Sequence, residues 1–334
     1  MSHTDIFQAV RLPNNPIIRP HMDERMGRNV QGPSLIRVPD WVAHPLGRYY
    51  LYFADHKGSY IRLAYAEELQ GPWRTHRDGA LQLAQSRFPV SNIAIPPDAT
   101  QILRESHLPG RAPPGTPGIP DPMEDATIPH IASPDVHVDH EHRRIVMYFH
   151  GLQSFRTQRT RVALSTDGIH FDARDDLLGP SYFRVFHHEG AAYAFAMPGI
   201  LLRSQDGLTN FERGPELFEG TQRHTAVLKR GNTLHVFWTR VGDTPERIYC
   251  STITLDDDWR HWRPGAPVEI MRPETDWEGG LLPVQPSYRG AINADVRQLR
   301  DPAIFEDLGK TYLLYAVRGE AGIAIAELRL ASNR

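Results

Sequence analysis

The length, composition and charge of the chain exclude several classes of protein. It has 334 residues, of which 40% are hydrophobic and 23% are charged, as is ordinary for a globular protein. The formal net charge is −3, and no long run of Lys or Arg marks a nucleic-acid-binding surface. One cysteine, Cys250, excludes a framework of internal disulfides. No signal peptide or membrane-spanning stretch is evident, so we expect a cytoplasmic protein without membrane contacts.

Alternation of apolar and polar residues, typical of β-strands, recurs along the chain in five similar units. Each unit has a first strand, a polar turn and a second strand, and a third strand follows. In chain order the first strands are "GPSLIRV" from Gly32, "SPDVHV" from Ser133, "SYFRVF" from Ser181, "HTAVLK" from His224 and "DPAIFE" from Asp301. Repeated meanders of three or four short strands are typical of propeller blades, whereas a β-sandwich would show a Greek key. The sequence therefore predicts an all-β protein, a five-bladed β-propeller.

The predicted blades account for most of the chain, and we expect residues 1–334 to form one domain. The expected blades cover roughly 31–76, 131–174, 181–218, 223–271 and 299–330. The segment "NPIIRP" (15–20) is expected to add an outer strand to the last blade and so to close the ring. Long connections at 86–130 and 272–298 each precede a first strand, so both should lie on one face, as lids, binding loops or disordered segments.

Titratable residues concentrate at the predicted strand ends that share this face. The starts of the first strands contribute Asp135, His137, Tyr182, Arg184, Arg223, His224, Arg300 and Asp301. The ends of the second strands and the turns after them contribute Asp55, His56, His150, Arg240, Arg318 and Glu320. A converging set of buried Asp, His and Arg side chains is costly unless it is paired or used. The sequence therefore predicts a polar functional site at the mouth of the channel.

Three stretches carry a resemblance to a known family: residues 48–73, "SPDVHVD" (133–139) and "RDPAIFEDLGKTYLLYA" (300–316). They resemble the five-bladed propellers of glycoside hydrolase family 43. The resemblance implies a general base on blade one, a tuning Asp on blade two and a Glu acid on blade three. Asp135 stands where the blade-two Asp is expected. Gly32 and Ser181–Tyr182 replace the other two carboxylates, while an Asp-Pro start occurs on blade five at Asp301.

The first hypothesis is a glycoside hydrolase that removes a terminal sugar from short oligosaccharides with inversion. Asp301 or Asp55 would activate water, and Asp135 would tune the acid. The acid itself stays open among a group of candidates. These candidates are Glu124, Glu274, Glu278, Glu320 and His224.

The remaining candidates concern the substrate, which we expect to be a small carbohydrate. Arginines around the funnel would suit a carboxylate-bearing sugar, because a guanidinium binds a carboxylate through two parallel hydrogen bonds. The predicted substrate-binding residues are Asp55, His56, His150, Tyr182, Arg184, Arg240, Trp238, Arg300, Arg318 and Glu320. Trp238 would be a platform for the apolar face of a sugar. No cofactor is indicated with certainty, and a single divalent ion in the channel stays open although no tight metal-ligand spacing is present.

Two alternatives stay open at this point. One is a lyase for uronate-containing glycans, in which arginines neutralise the uronate and a His or Tyr182 removes a proton. The other is a non-catalytic carbohydrate-binding propeller, which the missing blade-one Asp and blade-three Glu would explain.

Overall fold

The computed structural model describes residues 7–105, 109–113, 115–218, 220–256 and 258–330. Within these residues the strands form five antiparallel sheets of four strands each. The predicted all-β, five-bladed β-propeller is therefore confirmed. None of the helices in this part of the chain is long and apolar enough to cross a membrane.

The strands follow one another from the channel outwards in each blade. The N-terminal strand is β1 (Phe7–Arg11). Blade one has β2 (Gln31–Arg37), β3 (Tyr49–Ala54), β4 (Tyr60–Ala66) and β5 (Arg74–Gln82). Blade two has β6 (Ile131–Asp139), β7 (Arg144–Ser154), β8 (Thr157–Ser165) and β9 (Asp172–Ala173). Blade three has β10 (Arg184–His188), β11 (Ala191–Ala196), β12 (Ile200–Ser204) and β13 (Glu212–Glu216). Blade four has β14 (Gln222–Arg230), β15 (Thr233–Arg240), β16 (Ile248–Thr254) and β17 (Val268–Met271). Blade five has β18 (Arg300–Asp307), β19 (Lys310–Ala316), β20 (Ile323–Leu330) and, outermost, β1.

The ring is closed by the N-terminal strand. β1 pairs antiparallel with β20, so that Phe7 lies opposite Leu330. The expectation that residues 15–20 supply this outer strand is wrong, since that segment contributes only an isolated bridge between Ile18 and Ile323. Its two prolines lack the N–H groups that a ladder needs. Phe7 instead anchors β1 by packing on Phe237 of the neighbouring blade.

The hydrophobic core is divided among the interfaces between blades. Five buried clusters each join two neighbouring blades. Tyr52 of blade one, for example, meets Phe171 of blade two edge-to-face, with ring centroids 5.8 Å apart. Because both faces of each sheet are covered in this way, second strands such as Tyr49–Ala54 and Ala191–Ala196 are buried along their whole length.

The inner strands begin with a shared irregularity that positions the site. The ladder register shifts near the start of β2, β6, β14 and β18. In three of these strands a residue with positive φ precedes a proline at the shift, namely Gly32, Ser133 and Asp301. Ser133 is therefore the structural equivalent of Asp301 within this chain, and Asp135 lies two residues further along its strand.

The two long connections cover the face where the inner strands begin. The first carries two short helices, α1 (Ala99–Arg104) and α2 (Pro122–Thr127). The backbone N–H of Asn293 in the second connection donates to the carbonyl of Gly118 in the first, over 2.6 Å. The backbone N–H of Arg289 likewise donates to Gly110, over 2.7 Å. The loops thus hold each other in place over the mouth of the channel.

Candidate active site

A buried carboxyl group lies where three blades meet at the strand-start end of the channel. Asp301, at the start of β18, is 1% exposed. The Tyr182 hydroxyl donates to its Oδ1 over 2.8 Å, and Nε2 of His224 lies 3.4 Å from the same oxygen. The Tyr182 and His224 rings also pack together, with centroids 5.0 Å apart. The structure therefore brings three of the predicted site residues into direct contact.

The hydrogen bonds around Asp301 determine which of its oxygens can carry a proton. The backbone N–H of Asp301 donates to Nδ1 of His224 over 3.3 Å, so Nε2 of this histidine bears its hydrogen and faces Oδ1. Oδ1 thus accepts from Tyr182, and Nε2 of His224 lies near the same oxygen without a hydrogen bond of good geometry. Oδ2 has no hydrogen-bond partner in the described part of the chain. A proton on Asp301 consequently resides on Oδ2.

Burial and a neighbouring carboxylate make Asp301 a weak acid. Burial raises the pKa of Asp301 to about 7, and the negative charge of Glu320 contributes in the same direction. His224 is neutral, since burial holds its pKa well below the ordinary value and the positive charges of Arg223 and Arg300 add to this effect. Burial and Asp301 also raise the pKa of Tyr182 well above its ordinary value, so the phenol stays a donor.

Next to Asp301 lies a buried network of two arginines and two glutamates. Arg300 contacts Glu320 at 2.8 Å and Glu246 at 3.3 Å, while Arg223 contacts Glu246 at 3.1 Å. All four side chains are at most 2% exposed. Burial opposes the charge of Glu320, but the cationic form of His56 and the charges of Arg300 and Arg223 hold its pKa below the ordinary value. The network thus favours the ionised form of Glu320, while the pKa of its neighbour Asp301 is raised.

The network extends towards blade one through Glu320. Oε2 of Glu320 accepts from Nδ2 of Asn29 over 2.7 Å, and Nδ1 of His56 lies 3.7 Å from the same oxygen. Burial lowers the pKa of His56 even though Glu320 opposes this effect. The His56 side chain is 21% exposed, which makes it the most open titratable group of the cluster.

Asp135 and Arg184 form a separate level of the channel. The Arg184 guanidinium lies over the Tyr182 ring, 4.3 Å from its centroid. Asp135 accepts from His137 Nε2 and from the Val185 backbone N–H, each over 2.8 Å. Asp135 and Arg184 line a cavity on the far side of Tyr182 from the covering loops. Asp135 therefore contacts neither Asp301 nor the Arg–Glu network.

Glu274 is not brought to Asp301. It is 60% exposed and pairs with Arg11, at 3.0 Å, on the outermost strand of blade five. Its neighbour Glu278 is fully buried, but it accepts from Arg11 and from the Tyr315 hydroxyl and so anchors the loop. The prediction of an acid among these loop glutamates is corrected, because both belong to the outer edge of the blade.

The proposed sugar platform is also absent from the site. Trp238 is 3% exposed and packs against Phe218, with centroids 4.9 Å apart, inside the interface of blades three and four. Arg240 lies over the rings of Trp238 and Tyr249, 5.0 Å from each centroid. Both residues stabilise the blade interface, and we correct their assignment to the substrate.

Three further predicted residues lie around the cluster without joining it. Asp55 caps its own turn by accepting from the backbone N–H of Lys57 over 2.9 Å. Arg318 pairs with Asp295 of the second long connection at 3.3 Å. His150 is buried beside His130, with ring centroids 6.3 Å apart. Burial, with His130 contributing, lowers the pKa of His150 well below its ordinary value.

No metal centre emerges from the side chains that the structure describes. Among them, no group of three or more His, Cys, Asp and Glu residues could hold a metal ion. The divalent ion considered from the sequence therefore has no ligand set in these residues.

The sequence analysis missed Glu246, which pairs with both buried arginines. It lies in "TPERIY", the turn between the second and third strands of blade four. Turns at this position also supply His56 in blade one and Glu320 in blade five. Collecting the acidic residues of every such turn would have found it, whereas the pairing of Glu246 with Arg223 and Arg300 depends on the fold.

Comparison with curated proteins finds a sequence relative over nearly the whole chain. No protein-family model matches the sequence. The "Uncharacterized protein R118" of Acanthamoeba polyphaga mimivirus is 35% identical over 351 residues, covering 96% of this chain and 90% of that protein.

Solved structures with a similar fold include glycoside hydrolases. A GH43_1 enzyme from Xanthomonas citri aligns with a TM-score of 0.55 at 12% identity, covering 95% of this chain and 92% of that one. A glycosyl hydrolase from Bacteroides ovatus aligns with a TM-score of 0.55 at 12% identity, covering 97% and 93%. CoXyl43, a GH43 β-xylosidase/α-arabinofuranosidase from a compost microbial metagenome, aligns with a TM-score of 0.53 at 13% identity, covering 93% and 94%. The expected family 43-like propeller is thereby confirmed as a fold.

Proposed function

We propose that the chain is a glycoside hydrolase with Asp301 as its general acid. The chain belongs to the family that includes protein R118 of Acanthamoeba polyphaga mimivirus. It has the propeller fold of family 43 glycoside hydrolases. The observation that carries this proposal is the environment of Asp301. Its pKa is raised to about 7, and its proton resides on the oxygen without a described partner. A carboxyl group held protonated near neutral pH is what protonation of a glycosidic oxygen requires. This role revises the earlier hypothesis that Asp301 activates water.

The second group needed for hydrolysis is a base for the attacking water. His56 is suited to this role because its lowered pKa leaves it neutral and its side chain is partly exposed. Glu320, 3.7 Å away, would stabilise the imidazolium that forms. In the proposed reaction His56 takes a proton from water, and the water oxygen bonds to the anomeric carbon. The glycosidic C–O bond breaks as Asp301 protonates the leaving oxygen, with inversion in a single displacement.

The substrate would enter between the two long connections. A cavity of about 250 Å³ lies there, lined by residues that include Pro117, Leu282 and Tyr288, and it reaches Gln298 and Arg300 of the buried network. Asp301 itself is covered, so the loops must separate for a sugar to reach Oδ2. A covered, pocket-like site favours a terminal sugar of a short oligosaccharide over an internal unit of a polymer.

Hydrolysis is better supported than the lyase alternative. On the side of Tyr182 that the long connections cover, a lyase would need cations that are free to neutralise the carboxylate of a uronate. Arg223 and Arg300 are instead engaged by Glu246 and Glu320. A substrate carboxylate would have to displace these buried ion pairs.

The test is a screen of aryl glycosides and short oligosaccharides, followed by two matched variants. Asp301→Asn should reduce kcat/KM on any cleaved substrate by about 10²–10⁴-fold, as expected for a general acid. Asp307→Asn makes the same change at the other end of β18 and should leave activity within about twofold. Full activity in Asp301→Asn would contradict the proposal. Oligosaccharide binding without cleavage of any glycoside in the screen would favour the non-catalytic propeller.

A further inference from the structure

The channel contains a second chamber that opens on the face opposite the covering loops. Its volume is about 480 Å³, and the inner strands of all five blades line it. Asp135 and Arg184 lie at its closed end, and Lys229 and Asp307 lie at its open end. Beyond the closed end the buried Tyr182 ring separates it from Asp301. A chamber of this size is within the range of small-molecule sites.

Arg184 has an unused hydrogen-bonding edge at the closed end. Its Nη1 donates to the backbone oxygens of Phe183 and Pro134, at 2.9 and 3.2 Å. Its Nε and Nη2 have no acceptor among the described residues. These two nitrogens form the side of the guanidinium fork that binds both oxygens of one carboxylate. Because a buried donor without an acceptor costs free energy, this edge calls for an anionic partner from within the channel.

His137 adds a second, more open cation to the same chamber. Its side chain is 36% exposed, and its Nε2 is held by Asp135 at 2.8 Å. Although burial opposes the charge, Asp135 raises the pKa of His137 above its ordinary value. The hydrogen bonds of Asp135 with His137 and with the Val185 backbone both use Oδ2, and Asp135 makes no hydrogen bond to the free edge of Arg184.

Between the two ends of the chamber, aliphatic residues of the inner strands alternate with polar groups in the wall. The aliphatic residues include Leu35, Val136, Val185, Leu228 and Ala303. Cations at the closed end and apolar side chains above them match an amphipathic anion.

We propose that the chamber is a second ligand site, independent of the glycosidase proposal, for a monocarboxylate with an apolar body. The carboxylate would bind the Nε–Nη2 edge of Arg184 and His137, and the body would lie along the aliphatic side chains of the wall. Arg184 must rotate this buried edge towards the chamber as the ligand enters.

The first experiment is calorimetric titration of the full chain with hexanoate and with hexanamide. Hexanoate should bind and the uncharged amide should not, because only the acid can pair with Arg184. Arg184→Met should weaken hexanoate binding by at least about tenfold, as for loss of charged hydrogen bonds. Equal binding of acid and amide, no binding of hexanoate, or unchanged binding in Arg184→Met would each overturn the proposal.

A second pair of variants covers the case in which Arg184→Met does not fold. His137→Gln removes the partly exposed cation and should weaken hexanoate binding by at least about threefold. His140→Gln makes the same change at the rim of the chamber, where His140 packs against Trp41 with ring centroids 5.3 Å apart. This substitution should not alter hexanoate binding. Equal effects of the two substitutions would indicate diffuse charge attraction and would refute a specific site.

Discussion

The hydroxyl of Tyr182 donates a 2.8 Å hydrogen bond to Oδ1 of Asp301, although 119 residues separate them in the chain. Tyr182 precedes the inner strand of blade three, whereas Asp301 begins that of blade five. His224 of blade four approaches the same oxygen at 3.4 Å. Side chains from blades three and four thus contact Oδ1 of Asp301 on blade five. Oδ2 is left to carry the acidic proton.

The activity should depend on the protonated form of Asp301. We expect kcat/KM to be retained on the acid side of about pH 7 and to fall as the pH rises through this value, because the pKa of Asp301 is raised to about 7. Tyr182→Phe removes a hydrogen bond that favours the ionised carboxylate, so the alkaline limb should move to higher pH. The pH profiles of the two proteins test this relationship, and a limb at the same pH in both would contradict it.

The same raised pKa should make the fold less stable as the pH rises. The ordinary pKa of Asp is 3.8 and that of Asp301 in the folded protein is about 7, so the folded state holds the proton more tightly. The contribution of Asp301 to the free energy of unfolding is therefore present below about pH 4 and is lost as the pH rises to about 7. The side chain in Asp301→Asn cannot ionise. At pH 8 the free energy of unfolding of this variant should therefore be higher than that of the wild type, by up to roughly a few kcal/mol. Urea denaturation at pH 4 and pH 8 measures the difference, and a gap that is independent of pH would refute this account.

The buried Arg–Glu network should be sensitive to the loss of one charge. Glu246→Gln leaves Arg223 and Arg300 with one anion fewer in a fully buried position. We expect a loss of about 3–5 kcal/mol in the free energy of unfolding. Glu306→Gln is the matched control, since Glu306 is 48% exposed in its pair with Arg230, and it should cost less than about 1 kcal/mol. Chemical denaturation of both variants gives the comparison, and equal losses would contradict it.

Closure of the ring by β1 can be tested with residues that face each other across the ladder. Phe7 and Leu330 are register partners, but Phe7 is 8% exposed and Leu330 is 61% exposed. Phe7→Ala should lower the free energy of unfolding by about 3 kcal/mol, because it empties the contact with Phe237. Leu330→Ala should change it by less than about 0.5 kcal/mol. A small effect of Phe7→Ala in thermal or urea unfolding would show that β1 adds little to closure.

The chemistry of cleavage can be read from the products. Hydrolysis yields a new reducing end without an unsaturated sugar, whereas a lyase yields a product that absorbs in the ultraviolet. We expect only the reducing-end signal, even with uronate-containing oligomers, because Arg223 and Arg300 are neutralised within the protein. An ultraviolet-absorbing product that disappears in Tyr182→Phe would instead establish the lyase.

Local pattern was enough to predict the blades, but it could not show which side chains meet. The start of each inner strand can be recognised in the sequence, and so Asp301, His224 and Tyr182 were candidates. The two-residue offset of Asp135 is visible in the sequence, since Ser133 and Asp301 each precede a proline, but the contacts of Asp135 depend on how the blades pack. Trp238 was interpreted as a sugar platform because the sequence does not show whether a neighbouring blade covers an aromatic side chain at the end of a strand.

The sequence by itself determined the five-bladed ring, since alternation of apolar residues and turn chemistry act over a few residues at a time. Only the tertiary structure decided that Asp301 shares a buried pocket with Glu320, that Glu246 balances two arginines, and that β1 rather than residues 15–20 closes the last blade. The physical reason is that acidity and ion pairing depend on distances of 3 to 4 Å across blade interfaces, as between Arg300 and Glu246 at 3.3 Å. Such distances are set by how whole sheets pack, and the order of residues along one strand does not contain them.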